Sequence, residues 1–268
     1  MEKTFGFIGC GNMGGALVRA VANAGFAKNI CIADFDKSKT EALANELGVV
    51  VSDSAEIAKE CKYIFIGVKP QVIRNCFDSI KDILAKRETD FVLVSMAAGI
   101  KIESICEMSG SSSIIRIMPN LPVALGKGVV LASFLDVNES DRLFFEQAMS
   151  KAGVFDWIDE KLIDAASAVS GCGPAYAYMF IEALADGAVA CGLPRDKAML
   201  YAAGMLSGSA EMVLASGKHP GKLKDEVCSP GGSTIAGVKA LENSAFRAGV
   251  MNAVIDAYKK TLDLSKGK

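Results

Sequence analysis

The chain has one histidine, His219, and one tryptophan, and its 7 prolines are few for 268 residues. A single histidine excludes a multi-histidine metal centre, and no metal is expected. The 8 cysteines, at 10, 31, 61, 76, 106, 172, 191 and 228, include no C-x-x-C pair. Most of them sit among apolar neighbours, where a free thiol behaves as a small hydrophobe, so neither a disulfide framework nor a cysteine metal site is expected. There is no excess of either charge: Lys+Arg 29 against Asp+Glu 31 leaves −2. Without a basic surplus a nucleic-acid partner is disfavoured. Long apolar runs are also missing. The longest uncharged stretch, Ala165 to Ile181, is broken by Gly171, Gly173 and Pro174 and is short for a membrane span. Met1-Glu2-Lys3 leads straight into an apolar strand and a glycine-rich turn, not into a signal region. A soluble, cytoplasmic protein with reduced thiols is expected.

What the chain has in quantity is apolar residues, 51%, and glycine, 26 residues. That is enough to bury a large core, in one large domain or two modest ones. The first half alternates short runs rich in Ile, Val and Phe with helix-like stretches. Thr4–Ile8, Ile30–Ala33, Tyr63–Gly67, Phe91–Ser95, Ser113–Ile117, Val129–Ser133 and Val154–Ile158 read as strands. Met13–Ala24, Lys37–Leu47, Ala55–Cys61, Gln71–Ala85, Ile102–Met108 and Glu139–Ala152 read as helices. Near-continuous apolar strands alternating with helices predict an α/β fold with a doubly wound parallel sheet. After about Asp159 the texture changes to Ala, Leu, Met and Gly. Leu162–Val169, Ala175–Cys191, Arg195–Ser216, Ser233–Leu241 and Ala245–Leu264 read as helices, with Gly192–Pro194 and His219–Gly221 as breaks between them. This places a dinucleotide-type domain over 1–159 and an all-α domain over 160–268. Small residues line several faces of the second domain's helices, which points to burial by a partner chain.

The strongest local motif is Gly9-Cys10-Gly11-Asn12-Met13-Gly14, a G-x-G-x-x-G that follows a strand and opens a helix. Gly9 permits the tight turn, Gly11 lets a pyrophosphate approach the backbone, and Gly14 lets helix and strand pack closely. The helix N-terminus then receives the phosphates. Asp34 falls at the end of the second strand, where a carboxylate accepts from an adenosine ribose and repels a 2′-phosphate. Phe35 follows it, and Lys37 and Lys39 read as solvated residues of a helix start, so the residues lean towards NADH. Val68-Lys69-Pro70 and Met96-Ala97-Ala98-Gly99 end two further strands, where ligands of open α/β sheets bind. Lys69 is either catalytic or a ribose contact, the second being favoured. Arg116 and Asn120 flank Pro119 in what reads as a structural turn.

A second constellation, Ser229-Pro230-Gly231-Gly232-Ser233-Thr234, stands just before a helix. Such a loop is either an ordinary helix cap or a nest of N–H donors for a small carboxylate. Val227 to Val238, which contains it, resembles the signature of the pyrroline-5-carboxylate reductases. So do Ser170 to Tyr176, Glu182 to Ala188, His219 to Asp225, Phe7 to Gly14 and Val68 to Pro70, in order along the chain. The resemblance implies reduction of 1-pyrroline-5-carboxylate to L-proline with NADPH or NADH, the last step of proline synthesis. It implies a Rossmann domain followed by a helical domain that interlocks in homodimers, which often build decamers. It further implies that Ile8, Gly9–Gly14 (Gly9, Cys10, Gly11, Asn12, Met13, Gly14), Asp34, Ser54, Val68, Lys69, Pro70, Ala97, Ala98 and Gly99 hold the dinucleotide. Ser229, Gly231, Gly232, Ser233 and Thr234 grip the substrate, the N–H groups of Gly232, Ser233 and Thr234 fixing its carboxylate and Thr234 lying near the ring nitrogen as the catalytic hydroxyl. Two positions depart from the family's pattern: Phe35, where many members carry a phosphate-binding residue, and Gly217, where some carry an acid. A protonated cyclic imine is already electrophilic, so orienting it against the cofactor is the main task, and no strong general base is needed. His219 accordingly reads as a loop or capping residue.

Two other readings remain open at this level. The β-hydroxyacid dehydrogenases share the G-x-G-x-M-G start, but their catalytic lysine lies in a K-x-x-x-N pattern early in the second domain. Here Lys239 and Asn243 show that spacing much later, after the Pro230–Gly232 turn. A dinucleotide sensor without catalysis would need the glycine loop but not the Ser229–Thr234 turn.

Overall fold

The structure, a computed structural model, describes residues 3–265. Met1 and Glu2, part of the expected run into the first strand, and residues 266–268 lie outside them. Contacts divide the chain into two compact units, one of Met1–Gly171 with Tyr258–Lys268, the other Cys172–Ala257.

The first unit is built on an eight-stranded sheet. Its strands are β1 (Phe5–Ile8), β2 (Ile30–Ala33), β3 (Val50–Val51), β4 (Tyr63–Ile66), β5 (Val92–Ser95), β6 (Ile114–Pro119), β7 (Gly128–Leu135) and β8 (Gly153–Trp157). The order is β3-β2-β1-β4-β5-β6-β7-β8. β1, β2, β4 and β5 are buried along their whole length, as strands covered on both faces must be. Alternation then divides their side chains between two cores. Phe5, Phe7, Tyr63 and Phe65 point into one, where the Phe7 and Phe65 rings stack with centroids 4.1 Å apart. Ile8, Ile64 and Ile66 point into the other. The sheet departs from the expected all-parallel arrangement: β6 and β7 run antiparallel, with Ile114 opposite Leu135 and Pro119 opposite Val130. The link between them is one 3₁₀ turn, Leu121–Leu125, too short for the crossover a parallel return requires. β3, a two-residue edge strand with both residues exposed, is absent from the sequence reading.

The helices of this unit are α1 (Asn12–Val21), α2 (Lys37–Leu47), α3 (Ser54–Glu60), α4 (Ile73–Leu84), α5 (Ile102–Ser109), α6 (Glu139–Met149) and α7 (Glu160–Ser170). Short polar side chains start several of them: Asp36, Asp53 and Asn138 accept from the N–H groups of Ser38, Glu56 and Asp141. α7 packs on the sheet through charge as well as apolar contact. Arg116, on β6 and 2% exposed, pairs with Glu160 and Asp164 at 3.0 Å each. Glu160 also accepts from the Ile102 N–H at the start of α5. A guanidinium so deeply buried persists only when its charge is matched and its donors are bonded. Asn120 is structural too, bridging the Ser170 carbonyl and the Val129 N–H.

The second unit holds α8 (Gly173–Ala190), α9 (Arg195–Ser216), α10 (Pro220–Val227), α11 (Ser233–Asn243) and most of α12 (Phe246–Ser265). α10 replaces the break expected at His219–Gly221. Proline suits the first helical position, where its missing N–H has no partner to lose. The His219 Nδ1 accepts from the Gly221 N–H at 3.1 Å and caps the turn. Of the 18 residues of α8 only Ala185 is buried. α9 exposes Met199, Leu200, Tyr201, Met205, Met212 and Leu214, and by length and composition alone it could cross a membrane. All eight cysteines are free thiols.

Candidate active site

In the order β3-β2-β1-β4-β5 the chain leaves β1 to one side and resumes with β4 on the other. That switch opens a crevice at the carboxyl ends of β1 and β4, and the glycine loop lies in it. Gly9 has φ +100, and a Cβ there would stand 2.7 Å from the Gly67 carbonyl. Gly67 in turn has no room for a side chain, since its Cβ would meet the Gly9 oxygen at 2.5 Å. The two loops therefore touch backbone to backbone. Gly67 was legible only as the end of a strand; its place next to Gly9 follows from sheet order. Gly14 packs its Cα against the Gly9 carbonyl, where a Cβ would lie at 2.1 Å. Gly11 is the opposite case: a Cβ there would meet nothing within 4 Å. No side chain caps α1, so its first N–H groups face that open space. An uncapped helix start behind a bare glycine fits a dinucleotide's pyrophosphate.

Asp34 is already engaged. Its Oδ2 accepts from the Cys10 N–H at 2.6 Å and its Oδ1 from the Asp36 N–H at 2.8 Å. The Cys10 thiol beneath is pushed up to about 12 by burial and by the nearby Asp34 charge, so it stays protonated. A cleft of about 1010 Å³ runs outward from here. It gathers Ile8, Gly9, Asp34, Ser54 and Val68 from the expected set. Ser52, Asn75 and Cys76 line it as well, and neither periodicity nor a motif marks them. Lys37 reaches the cleft, whereas Lys39 is drawn to Asp36 at 3.5 Å. Phe35 is fully exposed at the rim. Lys69 and Pro70 are exposed after β4, and Lys69 precedes the short turn Pro70–Val72. Ala97 is buried and Ala98 exposed after β5, with Gly99 at φ +75.

The Ser229–Thr234 segment forms a tight turn in the second unit. Pro230 and Gly231, the latter at φ +67, occupy its centre, and the Gly232 N–H closes it on the Ser229 carbonyl at 3.1 Å. Proline followed by a left-handed glycine is the pattern of a type II turn. The Gly232 N–H is thus engaged in the turn, so it cannot serve as one of the free donors expected there. Gly232 instead contributes by lacking a side chain, because its Cβ would stand 2.4 Å from the Ser229 Oγ. No side chain caps α11, which leaves the Ser233 and Thr234 N–H groups at an exposed helix start with both hydroxyls beside them.

Residues 160–264 match the family described as pyrroline-5-carboxylate reductase dimerisation, and residues 4–99 match NADP oxidoreductase coenzyme F420-dependent. The chain is 42% identical to the pyrroline-5-carboxylate reductase of Arabidopsis thaliana, over 97% of this chain and 95% of the relative. It is 39% identical to that of Escherichia coli K12, over 99% and 100%. Among solved structures it is similar to the Plasmodium falciparum pyrroline carboxylate reductase with NADP bound, at 34% identity and a TM-score of 0.85, covering 98% of this chain and 99% of that one.

Proposed function

The chain belongs to the pyrroline-5-carboxylate reductase family, and from that premise we propose how its residues divide the work. The enzyme reduces 1-pyrroline-5-carboxylate to L-proline with NAD(P)H, the last step of proline biosynthesis. The match to reductases of that name over nearly the whole chain carries this conclusion. It also leaves no separate footing for the dehydrogenase and sensor readings.

Ile8, Gly9–Gly14, Asp34, Ser54, Val68–Pro70 and Ala97–Gly99 hold the dinucleotide in this proposal. Support comes from the uncapped α1, the open space at Gly11 and the cleft that Ile8, Gly9, Asp34, Ser54 and Val68 share. When bound, NAD(P)H supplies hydride from nicotinamide C4 to the imine carbon. The Ser229–Thr234 turn grips the substrate: the Ser233 and Thr234 N–H groups hold its carboxylate, and the Thr234 hydroxyl bonds the ring nitrogen and steadies its proton. Two bonded groups and one hydroxyl fix the ring's orientation, which is the main demand of the reaction. We take 1–159 as the dinucleotide-binding part and 160–268 as the dimerisation and substrate part. The dimerisation match from residue 160 supports that division, although α7 packs with the sheet and the compact units part at Gly171. The free thiols support a reducing, cytoplasmic setting.

The chain self-associates through its dimerisation region. The exposed apolar residues of α8 and α9 support an obligate dimer, and a decamer built from such dimers is the larger assembly we propose. Light scattering at micromolar concentration should give at least twice 28.1 kDa; an active monomer would refute the dimer. Cofactor choice is tested by initial rates of pyrroline-5-carboxylate reduction. Asp34 and Phe35 predict appreciable turnover with NADH. A preference for NADPH above about a hundredfold in kcat/KM, roughly 3 kcal/mol, would contradict it.

A further inference from the structure

We propose that Asp34 is a positioning residue for the glycine loop, so that the group reading the cofactor's ribose also holds the backbone that receives its pyrophosphate. The inference rests on the dinucleotide reading of the first unit. Three contacts tie residues 9 and 10 to the end of β2. The Gly9 N–H bonds the Ala33 carbonyl at 2.8 Å, the Cys10 thiol reaches the same carbonyl at 3.7 Å, and the Cys10 N–H bonds the Asp34 carboxylate at 2.6 Å. The last is the short, charge-assisted one. It acts on Cys10, whose thiol is buried in the core while the glycines on either side bring no side chain, so this bond fixes the backbone that core packing alone leaves to the glycines. The second carboxylate oxygen, on the Asp36 N–H, fixes the side chain's direction. Each oxygen keeps a lone pair for a ribose hydroxyl. Anchoring and ribose recognition are therefore compatible and share one group.

This coupling has a consequence that a simple discriminator lacks. A residue that only repels a 2′-phosphate would, once neutralised, improve binding of NADPH. If it also anchors the loop, neutralising it loosens the pyrophosphate site for both cofactors. In Asp34→Asn one carboxylate oxygen becomes an amide nitrogen, and the charge behind the Cys10 bond is lost. The expected result is a KM for NADH raised about tenfold or more. The KM for NADPH should not fall below its wild-type value. In the ligand-free protein the Cys10 amide should exchange with solvent about tenfold faster, with the melting temperature little changed. Asp34→Ser serves as the second variant. A serine hydroxyl can still accept from the N–H two residues on, but it is too short to keep the Cys10 bond. It should show the same faster exchange. An unchanged Cys10 exchange rate in both variants, or an NADPH KM that falls as the NADH KM rises, would overturn the proposal. Wild-type protein that binds neither cofactor would instead overturn the dinucleotide reading beneath it.

Discussion

Gly11→Val should weaken dinucleotide binding at least about a hundredfold while leaving the protein folded. Gly11 has φ −63 and ψ −168, a conformation open to any residue, so valine adds no backbone strain. Its Cβ would meet nothing within 4 Å, so the protein has nothing to push aside. The branched side chain would, however, fill the space in front of the uncapped start of α1. Displacing a pyrophosphate from two of those N–H groups forfeits two hydrogen bonds to a charged acceptor. At about 1.5–3 kcal/mol each, the loss is at least about 3 kcal/mol, or roughly a hundredfold in affinity. NADH titration by fluorescence measures the loss, and a melting curve matching wild type shows that the fold is intact. Gly14→Ala makes the useful contrast. Its Cβ would lie 2.1 Å from the Gly9 oxygen, so helix and strand must part and the melting temperature should fall with the affinity. Unaltered NADH binding by Gly11→Val would mean that the pyrophosphate lies elsewhere.

Thr234→Val should lower kcat/KM for pyrroline-5-carboxylate about ten- to a hundredfold and leave NADH affinity nearly unchanged. Valine keeps the shape and removes the hydroxyl. Because no side chain caps α11, the change takes no cap away from the helix. The loss is then that of one hydrogen bond to a charged ring nitrogen, about 1.5–3 kcal/mol. Glycine-loop contacts are untouched, so a fall in cofactor affinity would show a role other than the one proposed. Full activity would leave substrate orientation to the backbone N–H groups alone.

Much of this was legible in the chain because buried strands and glycine turns mark themselves. Ile30–Ala33, Lys37–Leu47 and Arg195–Ser216 fall where the apolar pattern and end residues place them. The glycine loop declares itself through Gly9 and Gly14, where a side chain would clash, and Gly11, which keeps the space before the helix open. β3 escaped because two exposed valines at a sheet edge carry no pattern. The antiparallel turn into β7 escaped because strand direction depends on connection geometry, not on strand composition. α10 escaped because Pro220 marks a start as readily as a break. In the site, Gly67 and the Asp34–Cys10 bond depend on which strands become neighbours. The Gly232 N–H, expected to be free, was engaged by the same turn that makes the motif recognisable.

In this proposal the chain holds pyrroline-5-carboxylate at the Ser229–Thr234 turn and reduces it to proline while NADH is oxidised to NAD+. The most direct test is product analysis: incubate the protein with pyrroline-5-carboxylate and NADH, and quantify L-proline against NADH consumed. The expected result is one proline per NADH, with the initial rate of proline formation about ten- to a hundredfold lower in Thr234→Val and lower still at limiting NADH in Gly11→Val. Tight NADH binding without proline would contradict it.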